Sequence, residues 1–209
     1  MIEIDGAGVV AGGATLLSPV SAAAERGEAL IVRGRNGAGK STLLRVLAGV
    51  RRPTTGTVRI GGRAVAERHP GFRRRVAAMI GLPPMAADLT VSDHALLVAT
   101  TWVDDPRAAA ELADGVIGEL GLGGLRERFP HELSSGQTQL FGLALVLARP
   151  FTVLLLDEPE QRLDPEHLES VAGALRARRD AGAALVVATH SPALADGLAD
   201  RTLRLEPAT

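Results

Sequence analysis

The chain has 209 residues, and its 23 lysines and arginines against 24 aspartates and glutamates leave a formal net charge of −1, which gives no support to a general nucleic-acid-binding surface. A hydrophobic content of 46% excludes a disordered chain, and the absence of cysteine excludes a disulfide framework or a thiolate site. The opening "MIEIDGAGVV" lacks the basic region of a secretory signal, and no apolar run reaches the ~18 residues a membrane span needs, so one cytoplasmic domain with a real core is the expectation.

In chain order, "MIEI" and Ala14 to Val20 read as short strands, and "LIVRG" as a buried strand running straight into glycines. From Gly39 the pattern turns helical, with Leu43, Leu44 and Leu47 on one side and Gly49 as a C-terminal stop. "TVRIGG", after the turn-prone "PTTG", reads as a hairpin partner in a small antiparallel layer. Between Val91 and Leu122 the spacing predicts two helices broken near Asp104 to Pro106. A connector through "LGLGGL" and "ERFPHELSSG" leads to a third helix, "QTQLFGLALVLA". "FTVLLLDEP" and "AALVVATH" are continuous apolar runs of the kind that form central parallel strands. Asp164 before Pro165, and Ser191 before Pro192, are cap-then-proline starts for two further helices, and "RTLRLE" makes a last strand. The alternation predicts an α/β fold with a mostly parallel central sheet and a small antiparallel β-layer, interrupted by a helical insertion.

Three sites on this scaffold carry chemistry. "GRNGAGKS" matches the phosphate-loop pattern G-x-x-x-x-G-K-[ST] between a strand and a helix. Its glycines let successive backbone N–H groups face an anion at a helix start. Lys40, the only lysine in the chain, would reach the β- and γ-phosphates, and the Ser41 hydroxyl would ligate Mg²⁺. A compact ammonium fits inside a tight backbone loop where arginine's planar fork does not. "TVLLLDEP" then supplies Asp157, placed to hold Mg²⁺ through water, and Glu158, placed to polarise an attacking water. His190 ends "VVATH" at the same edge of the sheet, as a γ-phosphate sensor.

With "LSSGQ" upstream of "VLLLDEP", followed by "LDP" and "ATH", the whole chain resembles the ATP-binding domain of the ATP-binding cassette (ABC) superfamily. The resemblance implies a P-loop NTPase core over 1–87 and 148–209 with an α-helical subdomain over 88–147. It implies that Gly34, Arg35, Asn36, Gly37, Ala38, Gly39, Lys40, Ser41 and Thr42 form the Walker A loop. Leu133, Ser134, Ser135, Gly136 and Gln137 would be the signature, with Ser135 where a glycine is usual, contacting the nucleotide of a second subunit. Asp157 would be the Walker B aspartate, Glu158 the catalytic base, Leu163 and Asp164 the D-loop, and His190 the switch histidine. Three departures stand out. The Q-loop position falls by spacing on Gly81, with no glutamine nearby; no aromatic lies near Val9 or Val10 to stack on adenine; and Arg162 replaces the usual D-loop glycine.

The implied function is that of an ATPase using ATP and Mg²⁺, in a nucleotide-dependent homodimer or pseudo-dimer. It would drive a separate integral membrane permease, with no nucleic-acid partner, from the inner face of the cell membrane. A soluble non-transport ABC ATPase and a nucleotide-gated binding module with weak turnover are the alternatives.

Overall fold

A computed structural model describes residues 1–207. Strand β3 (Ala29–Arg33), helix α1 (Lys40–Leu47), strand β6 (Val76–Met79), strand β7 (Val153–Asp157), helix α6 (Pro165–Asp180), strand β8 (Ala184–Ala188), helix α7 (Pro192–Leu198) and strand β9 (Arg201–Arg204) build the central layer. Its strands run in the order β6-β7-β8-β3-β9, and every neighbouring pair is parallel. Strands β3, β7 and β8 are buried almost end to end because both faces are covered. Alternate residues feed two separate cores. Leu154, Leu156, Leu185 and Val187 point into one, and Val153, Leu155, Ala184 and Val186 into the other.

The second core is closed by α1 and by an antiparallel sheet of order β2-β1-β4-β5, formed by β1 (Ile2–Ala11), β2 (Ala14–Ala24), β4 (Thr55–Ile60) and β5 (Arg63–Ala64). β1 and β2 are longer than the sequence pattern predicts. Irregular register between Ile4 and Val10 breaks their alternation, and a period-2 reading stops where a bulge begins.

The first core is closed by helices α3 (Val91–Trp102), α4 (Pro106–Glu119) and α5 (Ser135–Leu147), the helical subdomain. α5 is buried on all sides from Gln139 to Leu147, as a helix packed between layers must be. It touches β6 as well as α3 and α4, so the third expected helix ties the subdomain to the sheet. Together these layers make a P-loop NTPase core with a parallel sheet, a helical subdomain and a small antiparallel sheet. None of the described helices is long and apolar enough to cross a membrane.

Helix starts follow the side chains. Asp164 and Ser191 cap α6 and α7 ahead of their prolines, as expected, and Asp105 does the same for α4. Helix α2 (Pro70–Arg75) is not foreseen in the sequence. It starts on the imidazole of His69, which accepts the Gly71 amide at 3.1 Å, and it buries no residue that would give a periodic signal.

A capping box opens α3. The Thr90 hydroxyl accepts the Asp93 amide at 3.1 Å and donates to the Asp93 carboxylate at 2.7 Å, while the Thr90 amide donates to the same oxygen at 3.0 Å. The Thr90 hydroxyl, and then its amide, hold the Asp93 carboxyl below its ordinary value of 3.8. A depressed native pKa contributes stability that is full above the unfolded value and lost as pH falls through the native one. The wild-type chain therefore loses this increment on acidification, and Thr90→Ala, with no hydroxyl to hold the carboxylate, has less of it to lose. Urea midpoints of both proteins at about pH 7 and about pH 3 should show the gap between them narrowing in acid; a gap that stays constant would remove the capping box as its source.

Candidate active site

Parallel pairing fixes which loops meet. Val32 of β3 and Asp157 of β7 both register with Ala188 of β8, the strand between them, so the three strands end level. The loop after β3 is residues 34–39. Gly39 lies at φ 96 directly before α1, and a Cβ there would sit 2.6 Å from the Leu16 carbonyl oxygen on β2. Only glycine allows the antiparallel layer to close this tightly over the loop. The Ala38 amide donates to the Arg35 carbonyl at 3.0 Å, completing the turn.

A cleft of about 460 Å³ opens above the loop. β2 contributes Thr15 and Leu16, the loop contributes Asn36, Gly37 and Gly39, and the first turn of α1 contributes Lys40, Ser41 and Thr42. Glu158 supplies the far wall. No aromatic lines it; Val9 is buried and Val10 is 48% exposed.

Lys40 is only 6% exposed, and its ammonium ties the three strand ends together. Nζ donates to the Gly34 carbonyl at 3.0 Å, meets His190 Nε2 at 2.8 Å and lies 3.8 Å from Glu158 Oε1. A lysine ammonium has donors and no acceptor, so the imidazole accepts at Nε2 and carries its proton on Nδ1. His190 Nε2 also lies 3.3 Å from Glu158 Oε1, so the ammonium stands beside two groups that are themselves in close contact. One cation, one carboxylate and one imidazole therefore share a single point at the mouth of the phosphate loop.

Glu158 adopts φ 50, a left-handed conformation that costs a side-chain-bearing residue energy. Two contacts hold it. Its amide donates to the Ala188 carbonyl at 2.8 Å, and Gln139 of α5 sends Nε2 to the Glu158 carbonyl at 3.1 Å and to the Pro159 carbonyl at 3.4 Å. Sequence reasoning misses Gln139, whose one signal is a glutamine at the start of an otherwise apolar stretch. Asp157 is half-buried at the end of β7 and outside the cleft lining, and it makes no side-chain hydrogen bond or ion pair among the described residues.

The signature residues stand apart from this cleft. Ser134 and Gln137 form a capping box on α5: the Gln137 amide donates to the Ser134 hydroxyl at 3.3 Å, and the Ser134 amide donates to the Gln137 side chain at 2.9 Å. Both polar side chains are thereby occupied within the helix start, leaving the exposed Ser135 as the signature side chain free for outside contact. Leu133 packs on the helical core. Gly136 faces the Arg162 carbonyl so closely that a Cβ would lie 2.7 Å from it. Of the D-loop pair, Leu163 is half-buried and Asp164 is the α6 cap, accepting the His167 amide at 2.9 Å.

Gly81 follows β6 in a turn at φ 84, with no neighbour within 4 Å of where a Cβ would be. A glutamine there would have room, but only in a left-handed backbone.

A family model described as "ABC transporter" matches residues 17–161. Among curated proteins, the chain is 38% identical to the phosphonates import ATP-binding protein PhnC 1 of Natronomonas pharaonis, covering 98% of this chain and 89% of that one. It is 37% identical to the hemin import ATP-binding protein HmuV of Rhodopseudomonas palustris, over 92% of this chain and 74% of the relative. Among solved structures, an ATP-binding subunit of an ABC transporter aligns with a TM-score of 0.87 at 24% identity, covering 100% of this chain and 88% of that one. A dimeric post-hydrolysis state of the ATP-binding cassette MJ0796, bound to ADP and Pi, aligns at 0.85 and 21% identity over 100% of this chain and 97% of that one. At these identities the two structures speak to the fold.

Arg162 is the second side-chain-bearing residue in the left-handed region, at φ 66, and it is exposed with no ion pair among the described residues. Its side chain gives nothing back for the strained backbone. Arg162→Gly should therefore raise stability by about 0.5–1 kcal/mol, the left-handed penalty less the extra entropy of a glycine. Urea unfolding of the two proteins measures it, and a glycine variant no more stable than wild type would mean that the arginine has a partner.

Proposed function

The chain belongs to the ABC transporter family as an ATP-binding cassette, and from that premise we propose that it binds ATP with Mg²⁺ in the cleft above residues 34–42 and hydrolyses it to ADP and phosphate. The observation that carries this reading is the meeting of Lys40, Glu158 and His190 within 3.8 Å at the mouth of the loop. The three supply what phosphoryl transfer to water asks of a protein: a cation for the transferring group, a base for the nucleophile and a contact for the γ-phosphate.

The loop amides and the start of α1 take the phosphates. Oxygens of the γ-phosphate replace His190 and Glu158 as the partners of Lys40, and both side chains turn to the reaction. The Glu158 carboxylate accepts a proton from a water molecule as that water's oxygen forms a bond to the γ-phosphorus and the bond to the β-phosphate oxygen breaks. His190 contacts the γ-phosphate from the adjacent strand end. When bound, Mg²⁺ neutralises charge between the β- and γ-phosphates. The Ser41 hydroxyl would hold it directly and Asp157 would hold it through water. These hard oxygen donors fit the ion. Gly81 offers no further ligand.

Ser135 is exposed and lies outside the lining of the molecule's own cleft, which supports a dimer, of like chains or of two paralogues, in which each signature meets its partner's ATP. A groove of about 390 Å³ beside the helical subdomain supports attachment to a membrane-embedded subunit. It is walled by Pro83, Leu97, Val98 and Trp102, and Leu82, Leu96 and Leu97 are left 42–56% exposed. Arg149 lies over the Trp102 ring at 3.6 Å, with burial and then the nearby Arg73 charge lowering its pKa to about 10. Such a subunit would place the chain in the cytoplasm against the inner face of the membrane. The unlike cargoes in the relatives' names, phosphonates and hemin, support a division of labour in which the membrane and binding components select the cargo.

Two variants separate binding from chemistry. Lys40→Ala should fold and lose tight ATP binding in isothermal titration. Glu158→Gln should bind MgATP, run as a dimer in light scattering and turn over about 10²–10⁴-fold more slowly, since the amide cannot accept the proton. Wild-type hydrolysis by Glu158→Gln would remove that carboxylate as the base.

A further inference from the structure

Two residues past Glu158, a second carboxylate faces the other way. Glu160 Oε1 accepts three hydrogen bonds from the segment joining β8 to α7: from the Thr189 hydroxyl at 2.5 Å, the His190 amide at 2.9 Å and the Ser191 amide at 3.2 Å. The Thr189 hydroxyl in turn accepts the Ser191 amide at 2.9 Å, so residues 189–191 are knotted onto one oxygen. The other oxygen, Oε2, is buried and has no partner. An orphaned buried carboxylate oxygen costs stability. What the charge provides is stiffness, because amides donating to a carboxylate make stronger and more directional bonds than amides donating to a neutral group.

The segment held in this way carries His190. Its amide points to Glu160 and its imidazole points in the opposite sense, to Lys40 at 2.8 Å and Glu158 at 3.3 Å. We propose that Glu160 is a positioning residue for His190, setting the direction in which the imidazole leaves the backbone and hence its reach to the γ-phosphate. Glu158 and Glu160, separated by the buried Pro159, divide the labour: one acts in the cleft, and the other holds the residue that faces it. The inference rests on the reading of His190 given above.

Two measurements test it. The first needs no hydrolysis. Amide exchange followed by mass spectrometry should show His190 and Ser191 of Glu160→Ala exchanging at least about tenfold faster than wild type, with β8 unchanged. Retained protection overturns the proposal. The second is a double-mutant cycle on MgATP turnover. Glu160→Ala should lower kcat about 10–100-fold, as a small misplacement of a catalytic group does, with KM for ATP unchanged. Glu160→Gln, which keeps an acceptor oxygen but not the charge and is checked for folding by circular dichroism, should recover part of that rate. In a His190→Ala background, Glu160→Ala should cost nothing further. An equal loss in both backgrounds means that Glu160 does not act through His190 and overturns the proposal. If His190→Ala itself turns over like wild type, the assignment of His190 fails instead, and the exchange result alone decides whether Glu160 holds the loop.

Discussion

A parallel strand cannot turn straight back into its neighbour, so each of β3, β7 and β8 leaves the sheet at the same edge and must cross over before the next begins. That constraint produces the site. Because β8 lies between the other two and all three end level, residues more than a hundred positions apart in the chain are delivered to one line: the phosphate loop, Glu158 and His190. Two hydrophobic cores hold the sheet from either side. One face is pressed by α1 and the antiparallel layer, the other by the helical subdomain and α6.

The segment after β7 is where the molecule departs from relaxed geometry. Glu158 and Arg162 both take left-handed backbone angles within five residues, and neither is a glycine. Strain of this kind persists only where neighbours over-determine the path. Here they are the Gln139 amide group on the carbonyls of Glu158 and Pro159, the Glu160 carboxylate on the β8–α7 segment, and Gly136 packed against the Arg162 carbonyl. Helix α5, Glu158 and His190 are thus joined through side chains that grip one another's main chain. A shift of α5 would be felt at Glu158 through a single glutamine.

Much of this was legible in the sequence, and the reasons for what was not are physical. The phosphate loop declares itself because glycine spacing, a strand before and a helix after are all local. The acids after "TVLLL" and the histidine after "VVAT" are legible because continuous apolar runs mark buried parallel strands, whose ends carry the chemistry. Sequence reasoning misses Gln139 and Glu160 because their partners, backbone groups and one threonine hydroxyl, lie 19 to 31 residues away, and a backbone group leaves no trace in a sequence. The lengths of β1 and β2 were missed because irregular register erases alternation, and α2 because a histidine cap and an exposed turn look like a loop. By sequence spacing Gly81 stands where a glutamine is expected; the structure adds that its backbone lies where side chains are disfavoured.

The solitary lysine has a consequence for anyone handling the protein. Amine-directed reagents, from acylating dyes to carbamylation by aged urea, ordinarily scatter over a surface rich in lysine. This chain offers them one side-chain target, 6% exposed and held against a carbonyl, an imidazole and a carboxylate. Side-chain amine labelling and destruction of the phosphate cradle are therefore the same covalent event. On the function proposed above, bound nucleotide would occupy the ammonium and serve as its protecting group.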